Sequence, residues 1–230
     1  MIISHKYKFI FLKTNKTAGT SIEIALSKIC GPHDVITPIE PKDEKLRQSL
    51  GYRGPQNYLL PLTAYTLSDW RFCFQQKRWK RKFVNHMPAR RVKPLVDPEI
   101  WDSYYKFCFE RNPWDRMISL YYWRYKSEPR PSIAEFVESE APQLLKQKGY
   151  GVYTIDDQVV VDKVCAFENI AGELESLRTH LGIRETVELP SAEASFRKDK
   201  RHYRELMGEA EKIKISQLFQ DEISLIGYQF

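Results

Sequence analysis

Two short polar stretches carry side chains able to hold an anion. The first is Lys13-Thr14-Asn15-Lys16-Thr17-Ala18-Gly19-Thr20-Ser21. Lys16 supplies a mobile positive charge, Thr20 and Ser21 supply hydroxyl donors, and Gly19 lets the backbone approach a ligand closely. Where such a loop opens a helix, the unpaired N–H groups and the helix dipole favour a phosphate. The order differs from a Walker A loop, in which lysine follows the last glycine and the next hydroxyl holds magnesium. Taken alone, the stretch reads equally as an ordinary strand–helix turn with a solvated lysine.

The second stretch is Arg111-Asn112-Pro113-Trp114-Asp115-Arg116-Met117-Ile118-Ser119. Arg111 can grip a phosphate through two N–H bonds, and Ser119 can donate a third. Alone it reads as a surface arginine and a helix serine. Of the five histidines, His86 lies in a basic stretch, whereas His5, His33 and His180 are peripheral.

These residues need elements to position them, and the pattern supplies those. Tyr7–Leu12 is β-rich, and Thr20–Ile29 carries Ile22, Ile24, Ala25, Leu26 and Ile29 as a helical stripe ended by Gly31-Pro32. The first anion stretch therefore joins a strand to a helix. Tyr104–Phe109 is a second strand and delivers Arg111 to a strand end, where open α/β sheets bind ligands. Pro113 suits the first turn of the helix that follows. Further on, Val159–Phe167 reads as a strand, Asn169–Leu181 as a helix stopped by Gly182, and Tyr203–Gly227 as a helix. Lys82–Asn85 reads as a short strand leading to His86. Residues 31–58 read as a long loop and 60–80 as helical. Alternating strands and helices predict an α/β domain with a mainly parallel sheet, in one unit over residues 1–230.

Composition narrows the class. Across 230 residues the net charge is +6, and from Arg71 to Lys93 there are nine Lys or Arg and no acid. That balance favours an anionic partner: nucleic acid, a membrane surface or an anionic small molecule. Cys30, Cys73, Cys108 and Cys165 form no CxxC or Cys/His cluster, which argues against zinc and for a reducing, cytoplasmic setting. The apolar run at Tyr7–Leu12 is too short to span a membrane.

Together the two anion stretches resemble the sulfotransferases that use 3′-phosphoadenosine 5′-phosphosulfate (PAPS). Asn15–Ser21 matches that family's PK[TS]xGTS loop, with Asn15 at the proline position. Arg111–Ser119 matches RxPxxRxxS at every fixed position. Phe167-Glu168-Asn169-Ile170, Leu218–Ile223 and Gly227–Phe230 resemble the carbohydrate branch, the one that includes heparan sulfate 2-O-sulfotransferases. Residues 31–80 match no motif and read as an insertion carrying substrate contacts.

The resemblance implies a P-loop-like three-layer α/β fold with a central, mainly parallel sheet flanked by helices. It implies that Lys16, Thr17, Ala18, Gly19, Thr20 and Ser21 bind the 5′-phosphosulfate, and that Arg111 and Ser119 bind the 3′-phosphate. Lys198 and Lys200, in a late basic loop with Arg197 and Arg201, would close the nucleotide site. His86 would be the general base, its neutral imidazole taking the acceptor's hydroxyl proton, with Glu110 as second choice. The basic stretch should depress the His86 pKa and attract an anionic glycan. Lys16 would offset charge on the leaving oxygen, so no metal is expected. The implied partners are PAPS, its product adenosine 3′,5′-bisphosphate (PAP) and a hydroxyl acceptor, with no nucleic acid and no membrane span. The competing readings are a P-loop kinase-like phosphotransferase, which would need magnesium, and a basic nucleic-acid-binding module, which would leave two phosphate motifs at strand ends unexplained.

Overall fold

The computed structural model describes residues 1–190, 199 and 201–230. The strands are β1 (Ile2–Ser4), β2 (Phe9–Phe11), β3 (Val35–Ile36) and β4 (Tyr105–Glu110), then a hairpin of β5 (Thr154–Ile155) and β6 (Gln158–Val159), and β7 (Lys163–Ala166). Five of them form one sheet in the order β3-β1-β2-β4-β7. The pairs β2–β4 and β4–β7 are parallel, while β1 runs antiparallel to both its neighbours. The sheet is thus mostly parallel, as expected, with one reversed strand.

The helices are α1 (Gly19–Ser27), α2 (Pro41–Ser49), α3 (Leu67–Gln76), α4 (Ala89–Val92), α5 (Pro98–Ser103), α6 (Pro113–Arg124), α7 (Ile133–Glu138), α8 (Ala141–Gln147), α9 (Tyr150–Tyr153), α10 (Ile170–His180), α11 (Tyr203–Leu206), α12 (Glu209–Leu218) and α13 (Gln220–Ile226).

Side chains alternate across the sheet and so divide the core in two. Phe9, Phe11, Phe107 and Phe109 face Ile22 and Leu26 of α1 and Leu174 and Leu177 of α10. Ile10, Leu12 and Cys108 face Val92 of α4, Trp101 of α5 and Val152 and Tyr153 of α9. Both faces are covered, which is why these strands read as unbroken apolar runs. A third cluster joins α6 to α7, α8 and α12 through Met117, Ile118, Phe136, Leu145, Ile215 and Phe219.

Several expected elements differ. Lys82–Asn85 is not a strand: Lys82 and Phe83 both donate to the Tyr58 carbonyl and the chain turns at once. Val159–Phe167 divides between β6 and β7. The single helix expected over Tyr203–Gly227 is three. Residues 31–58 hold β3 and α2, and residues 60–80 begin as a turn before α3.

Candidate active site

The first anion stretch leaves β2 and enters α1 under tight backbone control. Thr14 donates its hydroxyl to the Phe109 carbonyl at the end of β4 and pairs with the Thr17 hydroxyl at 2.8 Å. The Asn15 amide donates to the Lys148 carbonyl at 2.9 Å, and Arg116 Nε donates to the Asn15 carbonyl at 2.8 Å. Arg111 Nη1 reaches the Lys16 carbonyl at 3.3 Å. These contacts hold two non-glycine residues, Lys16 at φ 65° and Ala18 at φ 54°, in the left-handed region. Ala18 caps α1 with no side-chain hydrogen bond, and no acid stands in the first turn. The helix start therefore keeps its positive end for a ligand.

Two residues of this stretch have roles inside the protein that the residue pattern does not show. Gly19 lines the cavity described next and also makes room for Lys13, since a Cβ there would lie 2.7 Å from Lys13 Cγ. Lys13 is only 1% exposed and ends on Glu23 at 2.9 Å, which also takes the Met1 amino group at 3.0 Å. Thr17 turns its hydroxyl inward to Thr14 and does not line the cavity described next.

That cavity, about 630 Å³, is walled on one side by Asn15, Lys16, Ala18, Gly19, Thr20 and Ser21. Glu40, Asp43 and Leu46, on and before α2, also line it. Asn85, His86, Trp123 and Lys126 complete the lining. The Lys16 ammonium sits 5.3 Å from the Trp123 ring centre. Burial, with the Arg111 charge adding to it, lowers the Lys16 pKa to about 8. The Asp43 pKa is raised by burial and then by Glu40.

His86, itself at φ 54°, sets Nδ1 3.0 Å from the Lys13 carbonyl. A carbonyl can only accept, so the proton resides on Nδ1 and the Nε2 lone pair is left to accept one. The His86 pKa falls to about 4, first through burial and then through Lys13. The direction is the expected one, but the charge responsible is Lys13 rather than the 71–93 stretch.

Arg111 lies behind the loop and does not line the cavity. Its guanidinium grips Asp115 at 2.8 and 2.6 Å and lies 4.3 Å from the Phe167 ring centre. Ser119 is half-buried one turn beyond Asp115 on α6, and Trp123 is one turn further. Asn112 caps α6, and its amide donates to Glu168 at 2.7 Å. Glu168 also accepts from the Tyr228 hydroxyl at 3.0 Å, and Asn112 Nδ2 donates to the Gln229 carbonyl at 3.2 Å. The Phe167–Ile170 and Gly227–Phe230 segments thus converge on the Arg111 turn.

Glu110 is wholly buried. It pairs with Arg116 and accepts from the Arg111 amide at 3.0 Å and from the Tyr153 hydroxyl at 3.3 Å. It has no path to the cavity and is a structural carboxylate. Lys198 and Lys200 lie outside the described residues, as does Arg197; Arg201 pairs with Asp199, to which the Tyr122 hydroxyl of α6 donates at 2.8 Å. Among the described residues no group of three or more His, Cys, Asp or Glu is placed to hold a metal. Asn85, Trp123, Lys126, Glu40 and Asp43 were not foreseen; only Trp123 had a signal, its spacing of four from Ser119.

The model of the sulfotransferase family matches residues 1–229, and the chain belongs to that family. Its chemistry is therefore sulfuryl transfer, which displaces the kinase-like and nucleic-acid readings. An uncharacterized protein of Archaeoglobus fulgidus is 30% identical over 120 residues, covering 49% of this chain and 98% of that protein. No solved structure matches the chain. Among the described residues, no helix is long and apolar enough to cross a membrane.

Proposed function

We propose that the chain moves the sulfuryl group of PAPS to a carbohydrate hydroxyl, without a metal. The observation that carries the reading is the meeting of Lys16, the uncapped start of α1 and His86 around one cavity. The 5′-phosphosulfate would lie against the loop N–H groups, Thr20 and Ser21. The acceptor oxygen attacks sulfur and forms the new O–S bond as the bond from sulfur to the phosphate oxygen breaks. His86 Nε2 takes the hydroxyl proton. Lys16 and the α1 dipole offset the charge that grows on the departing PAP oxygen.

Arg111 and Ser119 are proposed for the 3′-phosphate, and such a phosphate would share Arg111 with Asp115. The basic side chains of 71–82 do not line the cavity, so attraction of an anionic glycan by them is not part of this reading. Glu40 and Asp43 instead offer acceptors for sugar hydroxyls. The four cysteines stand as free thiols, and on that basis the proposal includes a cytoplasmic location.

The test is transfer of labelled sulfate from PAPS to a panel of neutral and anionic glycans. Sulfated product that disappears in His86→Ala is expected. Modification that requires ATP and magnesium in place of PAPS would overturn the reading.

A further inference from the structure

Leucine and aromatic side chains belong in a core, yet the segment 59–81 turns a row of them to water. Leu67 is 89% exposed, Phe74 79%, Leu62 and Trp79 55% each, and Trp70 38%. None of these joins the three buried clusters. Leu67, Trp70 and Phe74 are spaced i, i+3, i+7 and so share one face of α3. The opposite face carries Asp69, the one buried residue of the helix, with half-buried Phe72 and Cys73. The apolar face of α3 therefore points outward.

The segment is built, not frayed. Thr66 and Asp69 form a capping box at the start of α3, and Lys80 pairs with Asp69. The Leu60 amide donates to the Lys80 carbonyl at 2.9 Å, the Lys80 amide donates to the Tyr65 hydroxyl at 3.0 Å, and the Tyr65 and Trp70 rings meet at 5.1 Å. Arg71 on α3 and Lys77, Arg78 and Arg81 after it are exposed, with the Arg78 guanidinium 5.3 Å from the Phe72 ring centre and that of Arg81 5.9 Å from Tyr58, and no acid occurs from Trp70 to Val96. Exposed apolar patches of this kind mark interaction sites.

We infer that α3 and the turn through Arg81 dock the protein on an anionic lipid bilayer. Leu67 and Phe74 would enter the acyl boundary, Trp70 and Trp79 would lie at headgroup level, and the basic side chains would meet lipid phosphates. Charge complementarity selects this occupant. A second copy of the chain, paired through the same face, would bring basic side chains against basic side chains. A sugar chain needs hydrogen-bond partners, and Leu67 and Phe74 provide none. The same segment runs on into Asn85 and His86, which line the cavity, so docking would tie that wall of the cavity to the membrane surface through a few residues of chain. The inference stands apart from the assignment of PAPS as donor, because it uses no cavity residue.

The test is sedimentation of the full chain with vesicles of phosphatidylcholine alone and of equimolar phosphatidylcholine and phosphatidylglycerol. The chain should pellet with the anionic vesicles and stay soluble with the neutral ones, and salt should weaken the binding. Leu67→Ser with Phe74→Ser should abolish it; both side chains are exposed, so no packing is lost. Arg71→Gln with Lys77→Gln should weaken it roughly thirtyfold. A wild-type chain that stays in solution with anionic vesicles, or a serine double variant that binds as wild type does, overturns the inference. So does a dimer, seen by light scattering, that the serine pair converts to monomer, since the face would then belong to a second copy.

Discussion

Binding of PAP should draw a proton onto Lys16. The free side chain is held at about pKa 8 by burial and by Arg111, well below the ordinary lysine value near 10.4. At pH 8 about half of the molecules therefore carry a neutral Lys16. A bound 5′-phosphate beside the ammonium favours the charged form and raises its pKa, so binding takes up a proton. The expected uptake is about half a proton at pH 8 and close to one at pH 9, and PAP affinity should fall about tenfold per unit above pH 8. His86 makes no contribution there, because its pKa is about 4. Calorimetry in two buffers of different ionisation enthalpy reads the uptake directly. Lys16→Arg provides the control, since guanidinium stays charged and should bind PAP without proton uptake. Zero uptake in the wild type at pH 8, or the same uptake in Lys16→Arg, would refute the placement of Lys16 against the donor.

Three further substitutions separate chemistry from scaffold. His86→Ala should leave PAP affinity unchanged and lower sulfuryl transfer by about 10²–10⁴-fold, the contribution of a positioned base; because burial holds the imidazole at about 4, the wild-type base stays in its proton-accepting form down to that pH, which pH–rate profiles check. Glu110→Gln should lower the melting temperature sharply, since it unpairs the buried Arg116 at a cost of about 3–5 kcal/mol. Gly149→Ala should shift the urea midpoint down by an amount equal to about 1–3 kcal/mol, because the new methyl falls on the Arg116 guanidinium that braces the Asn15 carbonyl.

What the amino-acid order reveals depends on how locally each feature is determined. The runs at Tyr7–Leu12 and Tyr104–Phe109 are legible because both sheet faces are covered, so every residue is apolar or aromatic save a lysine in each. β1 escapes notice because it is three residues long and means nothing without its pairing to Phe9–Phe11. α2 is almost wholly polar, with only Arg47 buried, and its one local cue is Pro41 at the first turn. Lys16 and Arg111 can be picked out by type and spacing. Their contact through the Lys16 carbonyl, and the anchoring of His86 to the Lys13 carbonyl, join residues 95 and 73 positions apart, which no local pattern encodes. Glu110 sits beside Arg111 in the chain yet points into the core, because side chains alternate along β4 and its partner Arg116 lies on the helix behind.

The claim at the centre of the account is that this cavity and the turn behind it hold a nucleotide with phosphates at both the 3′ and 5′ positions. Calorimetric titration with PAP and with adenosine 5′-monophosphate tests it most directly, because the two ligands differ only in the group assigned to Arg111 and Ser119. PAP should bind at least roughly ten- to a hundredfold more tightly, the value of a single charge-assisted hydrogen bond, and Arg111→Ala should remove the difference. Equal affinity of the wild-type protein for the two nucleotides would contradict it.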